Sequence, residues 1–333
     1  MSTGCVLGMS SIEVRKVLKL GSSSLVVTLP NSWVKMQGLK SGDRVLVSIE
    51  GDSLRIKPVV ESQNYNLDTS IDIRGREPRL LRYIVPCAYV LGFDNIKVLT
   101  AKDDPSVVYE LRRVASRLVG VNIEDIGNEV LNIKILVDHK KIDLKSIIKS
   151  TSIVVSRVSS ILYKVLEEGL NTSLESELEE LKDEMYKLRS LIERYIHTVG
   201  LRVEHIKENH IELALILSVL VLLSLANSII LDTISLAGKT KVKSSVELLE
   251  IIKNIQDIPT IVGSTTVNPS VKRALEILNE TIIIQGRLEE ILVSRTLDNS
   301  QAIIASKLTD VIKIYQVIAY SILCVGLFGG VLS

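Results

Sequence analysis

The chain has 333 residues, 46% hydrophobic and 24% charged, and a net charge of +1 that excludes no class of partner. That length gives room for two or three domains and a sizeable core. Cys5, Cys87 and Cys324 are odd in number and widely spaced, which excludes a disulfide framework or a metal-ligand pair and fits a reducing cytoplasm, with Cys87 expected as a small core residue.

Met1 to Ser11 has neither a basic start nor a continuous apolar run, so no signal peptide is expected. Val14 to Lys19 alternates apolar and polar residues, the period of a half-buried strand. Gly21 and three serines break it, and Leu25 to Leu29 reads as a second strand. Pro30 ends that strand, Asn31 can cap a short helix over Ser32–Gln37, and Gly38 suits its end. Gly42-Asp43 and Gly51-Asp52 are turns that flank strands over Val45–Ile49 and Ser53–Lys57. Charge is concentrated here: residues 1–60 carry eight Lys/Arg against four acids, while the rest of the chain is slightly acidic. A basic patch on a small module is the electrostatic footprint of phosphate contacts, although an ordinary solvated β surface has the same composition.

Lys19-Leu20-Gly21-Ser22-Ser23, Val27-Thr28-Leu29-Pro30, Trp33 and Leu39-Lys40-Ser41-Gly42-Asp43 occur in one order over one short length. In that order they resemble the AbrB/SpoVT/MazE family of swapped-hairpin domains. The resemblance implies a homodimer formed by exchange of hairpins, because one copy is too small to close a core. It also implies that residues 11–60 bind double-stranded DNA through basic strands and loops. By position it assigns DNA contact to Arg15 and Lys16 in the first strand, to Lys19, and to Lys35 in the short helix. Lys40 and Arg44 read equally as solvated turn charges.

Residues 66–140 read as a small α+β segment. A strand over Leu67–Arg74 precedes a helix from Glu77-Pro78 to about Leu91, ended by Gly92. Asn95–Leu99 is a strand, and Pro105 opens a helix that Gly120 ends. Val121–Asp125 and Val130–Val137 pair around Gly127-Asn128. Arg112, Arg113 and Arg117 share one helical face that is open to an anion, but ion pairing within the domain or plain solvation explains it better. His139 stands alone and suggests no catalytic group.

From Ile142 onward helices take over. The first runs to Glu168. Thr172 and Glu175 fit a capping box for a second, with a stripe of Leu174, Leu178, Leu181, Met185, Leu188 and Ile192. Gly200–His210 is a polar connection, Ile211–Gly238 a third helix, and Lys239–Ser245 a basic break. A helix over Val246–Ile255, a loop over Gln256–Val267, a helix from Asn268-Pro269 to about Leu297 and a last helix capped by Asn299 complete two loose three-helix repeats over residues 141–333. Ile211–Leu236 and Val311–Leu332 approach the roughly 20 apolar residues of a spanning helix. Polar residues such as Glu212, Asn227, Asp232 and Lys313 interrupt them, so buried bundle helices, and no spanning segment, are expected.

Pro78-Arg-Leu-Leu-Arg-Tyr-Ile-Val-Pro-Cys-Ala-Tyr-Val-Leu-Gly-Phe-Asp-Asn-Ile and Leu118-Val-Gly-Val-Asn-Ile resemble the archaeal phosphate-uptake regulators of the PhoU family. The resemblance implies a PhoU-like bundle behind the swapped-hairpin domain, and hence a mostly helical α+β fold. It also implies transcriptional control of phosphate uptake. Family bundles hold metal clusters through acidic pairs one helical turn apart. The corresponding positions here are Lys182/Tyr186, Leu223/Asn227 and Asp310/Ile314, so no metal and no cofactor is expected. Acid pairs elsewhere, Glu179/Asp183, Glu180/Glu184 and Glu204/Glu208, are ordinary on solvated helices. Without a nucleophile–base pair the chain is not expected to be an enzyme. The competing readings are an adaptor whose bundle docks on a phosphate transporter or sensor protein, a MazE-like antitoxin, and a membrane protein with two spans.

Overall fold

The computed structural model describes residues 13–21, 24–50, 53–59, 67–101, 104–127, 129–138, 141–202, 210–240, 245–294 and 297–328. Contacts divide the chain into two compact units, Met1–Tyr65 and Asn66–Ser333. The fold is α+β and mostly α, with a small strand unit first and a helical bundle last.

The described residues of the first unit form two hairpins and one short helix. β1 (Leu18–Leu20) pairs antiparallel with β2 (Ser24–Val26), placing Lys19 opposite Leu25. α1 (Asn31–Met36) follows Pro30, and Gly38 closes it at φ 65°, in the left-handed region that favours glycine. The Lys40 and Asp43 backbone and side chain bond to one another across Gly42 (Lys40 N–H to Asp43 Oδ2, 2.7 Å). β3 (Val45–Glu50) and β4 (Ser53–Pro58) form the second hairpin. The expected first strand is cut to Leu18–Leu20: Val14 to Val17 have no strand partner among the described residues, and Val14 is 97% exposed. Likewise the second stops at Val26 rather than Leu29.

In the second unit a four-stranded sheet has the order β5 (Asp68–Asp72), β6 (Asn95–Leu99), β8 (Val130–Ile135), β7 (Val121–Gly127). β5 and β6 are parallel, and the other pairs antiparallel. The parallel pair needs a crossover. A 3-10 turn at Pro78–Leu80 running into α2 (Leu81–Val90) supplies it. α3 (Pro105–Ala115), capped by Asp104, packs beside α2. Leu81, Val85, Tyr89, Ile96, Val98, Leu111 and Ile133 form the buried layer between them. Cys87, expected in the core, is exposed: α2 buries Leu81, Val85, Ala88 and Tyr89, and position 87 falls on the other side of that turn. His139 lies outside the described residues.

Among the described residues seven helices build the bundle. They are α4 (Leu144–Glu168), α5 (Thr172–Arg202), α6 (His210–Thr240), α7 (Val246–Ile255), α8 (Ile258–Val267), α9 (Val271–Val293) and α10 (Asn299–Phe328). α8 replaces the expected loop over Gln256–Val267, so four helices rather than three follow the break. Pro259 sits in its first turn, where no N–H bond is lost. Thr265 and Thr266 donate their hydroxyls back to the carbonyls of Ile261 and Val262, which lets polar side chains pass through the core. Gly263 permits the close approach of α8 to α4, since a Cβ there would lie 2.3 Å from Ser152 Oγ.

Caps shift by a residue or two from expectation. Asn171, not Thr172, accepts from Leu174 N–H at 3.0 Å. Asp298 and Gln301 bond reciprocally ahead of α10, in place of Asn299. Ser270 caps α9, leaving Asn268-Pro269 outside it.

α6 and α10 are long and apolar enough to cross a membrane by length and composition. Each also buries a face in the bundle core: Ile216, Val219, Leu223, Ala226 and Ile230 on α6, and Ile304, Leu308, Val311, Tyr315 and Ile318 on α10. α6 packs on α4 and α10, and α10 on α9.

Candidate nucleic-acid interface

The first unit is built almost entirely from surface. Of its side chains that are described, none is buried. Val14, Leu25 and Ile49 are 97%, 72% and 81% exposed, and Val17, Leu20, Val27, Leu46 and Val47 are exposed with them. Each such side chain gains about 1.5–3 kcal/mol on burial. A unit that leaves all of them in water lacks the driving force to hold its own fold and needs apolar cover from another surface.

The four predicted contact residues lie on this unit. Lys19 sits in the middle of β1 and Lys35 in the last turn of α1, where a cation also complements the helix carbonyls. Arg15 and Lys16 precede β1 rather than lying within a strand, and Arg15 bonds to Glu13 two residues away. All four are exposed. Among the described residues no carboxylate pairs with Lys16, Lys19 or Lys35. These cations are therefore available to an anionic partner.

A second basic face, in the other unit, escaped the sequence reading. Arg74-Gly-Arg-Glu-Pro-Arg-Leu-Leu-Arg-Tyr places four arginines between residues 74 and 82. Arg82 Nε and Nη2 each donate to Glu110 on α3 at 2.6 Å. The hydrogen bonds from Arg82, with the charges of Arg113 and Arg79 behind them, hold the Glu110 carboxyl below its ordinary range. Arg74 holds the Asp72 carboxyl down at about 2 by hydrogen bonds. Tyr83 and Tyr109 flank Arg82 and are 72% and 64% exposed. The readable signal was the run of arginines itself, with a tyrosine beside the last. Arg117, grouped by helical spacing with Arg112 and Arg113, turns elsewhere: it pairs with Asp183 of α5 at 2.8 Å and lies over the Tyr186 ring.

Three of the positions that the PhoU resemblance would assign to metal pairs carry no carboxylate. Lys182 bonds to Glu179 at 2.6 Å, and Leu223 and Asn227 are buried. Among the described residues there is no group of three or more His, Cys, Asp or Glu placed to hold a metal ion. The Glu204/Glu208 pair lies outside them.

Residues 18–64 match the family model described as antidote-toxin recognition MazE, bacterial antitoxin. The match covers both hairpins and α1, and so supports the swapped-hairpin reading of the first unit. Neither the curated proteins nor the solved structures hold a match to this chain.

Proposed function

We propose that the protein is a cytoplasmic homodimeric regulator that binds double-stranded DNA through its first unit. The observation that carries this is the joint exposure, on one small unit, of the cations Lys16, Lys19 and Lys35, which pair with no carboxylate among the described residues, and of an apolar set that the unit itself does not cover. A second copy supplies the cover, and Arg15, Lys16, Lys19 and Lys35 from both copies then present a doubled basic surface to phosphate. The match of residues 18–64 to the MazE family supports the same assignment.

The finer reading is control of phosphate uptake, with the bundle relaying phosphate status. It rests on the resemblance of residues 78–96 and 118–123 to the archaeal PhoU-type regulators.

An adaptor function is the second reading. It is favoured by apolar side chains left in water on the bundle, Val221 and Leu225 of α6 and Val317 and Tyr320 of α10. Such a face would dock on a transporter or sensor.

One binding experiment separates them. The protein is titrated with its own upstream DNA and with unrelated DNA at two salt concentrations, beside Arg15→Ala/Lys16→Ala/Lys19→Ala. Tight, site-preferring binding that weakens steeply with salt and vanishes in the variant supports the regulator. Absent binding, or binding that the variant keeps, leaves the first unit as a dimerisation device and favours the adaptor.

A further inference from the structure

We propose that the face formed by Arg79, Arg82 and Tyr83 together with Tyr109 and Arg113 is a second nucleic-acid contact, which grips the sugar-phosphate backbone of duplex DNA. It belongs to the second unit, so its role is separable from that of Arg15, Lys16, Lys19 and Lys35, although it presumes a protein that meets DNA.

The residues come from two packed elements. Arg79 lies in the 3-10 turn, Arg82 and Tyr83 in the first turn of α2, and Tyr109, Glu110 and Arg113 on one side of α3. The single acid at the centre does not repel an anion, because the Glu110 side chain is only 8% exposed and both its oxygens are taken by Arg82. That pairing also fixes the Arg82 guanidinium in one plane, and its side chain stays 35% exposed. Arg79 lies 72% exposed, with its nearest acid, Glu77, at 3.7 Å. The face therefore keeps an excess of positive charge on a rigid base.

Its chemistry fits phosphate better than it fits an acidic protein. Arginine forks match phosphate oxygens two at a time, and tyrosine hydroxyls are common donors to the DNA backbone. A protein partner would want an apolar centre with charge at the rim. Here the ion pair occupies the centre and the tyrosines stand around it.

The test uses the full chain and an arbitrary-sequence duplex, followed by fluorescence anisotropy at about 50 mM and about 200 mM salt. Arg79→Ala/Arg113→Ala should weaken binding about tenfold at the lower salt and flatten the salt dependence by about two phosphate contacts, while Arg79→Lys/Arg113→Lys keeps most of the affinity. Unchanged affinity in the alanine pair overturns the proposal, and so does equal loss in the lysine pair. If instead polyglutamate binds the native chain and the alanine pair loses that binding but not DNA, the face serves an acidic protein and the proposal falls. Loss in the alanine pair together with native binding by Arg15→Ala/Lys16→Ala/Lys19→Ala/Lys35→Ala would keep this face and discard the first unit as the DNA reader. Should the alanine pair melt early, benzoylphenylalanine placed at Tyr83 decides. Photochemical capture of the duplex supports the contact, and no capture overturns it.

Discussion

Arg194, 3% exposed on α5, reaches Asp94 at 2.8 Å and ties the bundle to the α+β layer. The same guanidinium donates to the carbonyls of Tyr89 and Phe93 at 2.8 Å and lies over the Tyr89 ring. Asp94 in turn accepts from Leu67 N–H, at the start of β5. One side chain thus closes the end of α2, the turn after it and the start of the sheet. Arg194→Leu takes a buried cation away from the Asp94 carboxylate and one donor from each of the Tyr89 and Phe93 carbonyls, and should cost about 3–5 kcal/mol. Arg194→Lys should recover only part, since an ammonium cannot span three acceptors in one plane. Urea unfolding of both variants checks the order; a leucine variant as stable as the native chain would refute the role.

The exposed apolar set of the first unit predicts self-association. Leu25→Asp/Ile49→Asp should shift the protein from dimer to monomer in sedimentation equilibrium at micromolar concentration. Unfolding of the second unit should stay unchanged. A native chain that sediments as a monomer at all concentrations would refute the dimer.

Glu110 gives a pH dependence with a definite sign. Its carboxyl is held below the ordinary 4.5 in the folded chain. The contact therefore stabilises fully above that pH and is lost as the pH falls through the lowered folded value. As the pH falls below 4.5 the native chain should lose stability faster than Glu110→Gln, measured as the urea midpoint. Parallel curves would mean that the ion pair does not differ between folded and unfolded chains.

Tyr315 offers the opposite case. It is fully buried on α10, its hydroxyl has no partner among the described residues, and burial pushes its acidity far out of range. Tyr315→Phe removes an unsatisfied donor and keeps the ring, so stability should hold or rise by about 1 kcal/mol. Tyr315→Ala should cost about 3–5 kcal/mol through the cavity. Calorimetry of the pair reads both signs.

Much of the architecture was readable because periodicity marks burial. The stripe from Leu174 to Ile192 on α5 and the alternation through β5 both face the cores that they predicted. What escaped depended on neighbours that sequence spacing does not carry. Thr265 and Thr266 look like loop residues until a helix lets each bond four residues back. Arg117 looks like part of an arginine face until Asp183 and Tyr186 draw it inward. Val14 to Val17 has a strand's pattern, but a strand forms only where another backbone lies beside it, and among the described residues none pairs with it. The basic residues of the first unit were legible from charge and motif order, whereas the arginine–tyrosine face needed α3 to bring Tyr109 and Arg113 beside Arg82.

The Arg194 anchor also governs how the protein can be cut. A truncation between residues 140 and 141 would part Asp94 from its cation and uncover Tyr89, so the resulting α+β fragment should aggregate or fail to express. A break at the boundary of the two units, between Tyr65 and Asn66, severs none of those bonds. Shortened versions for crystallisation or partner screening should therefore start at residue 66 and carry the layer and the bundle as a single piece.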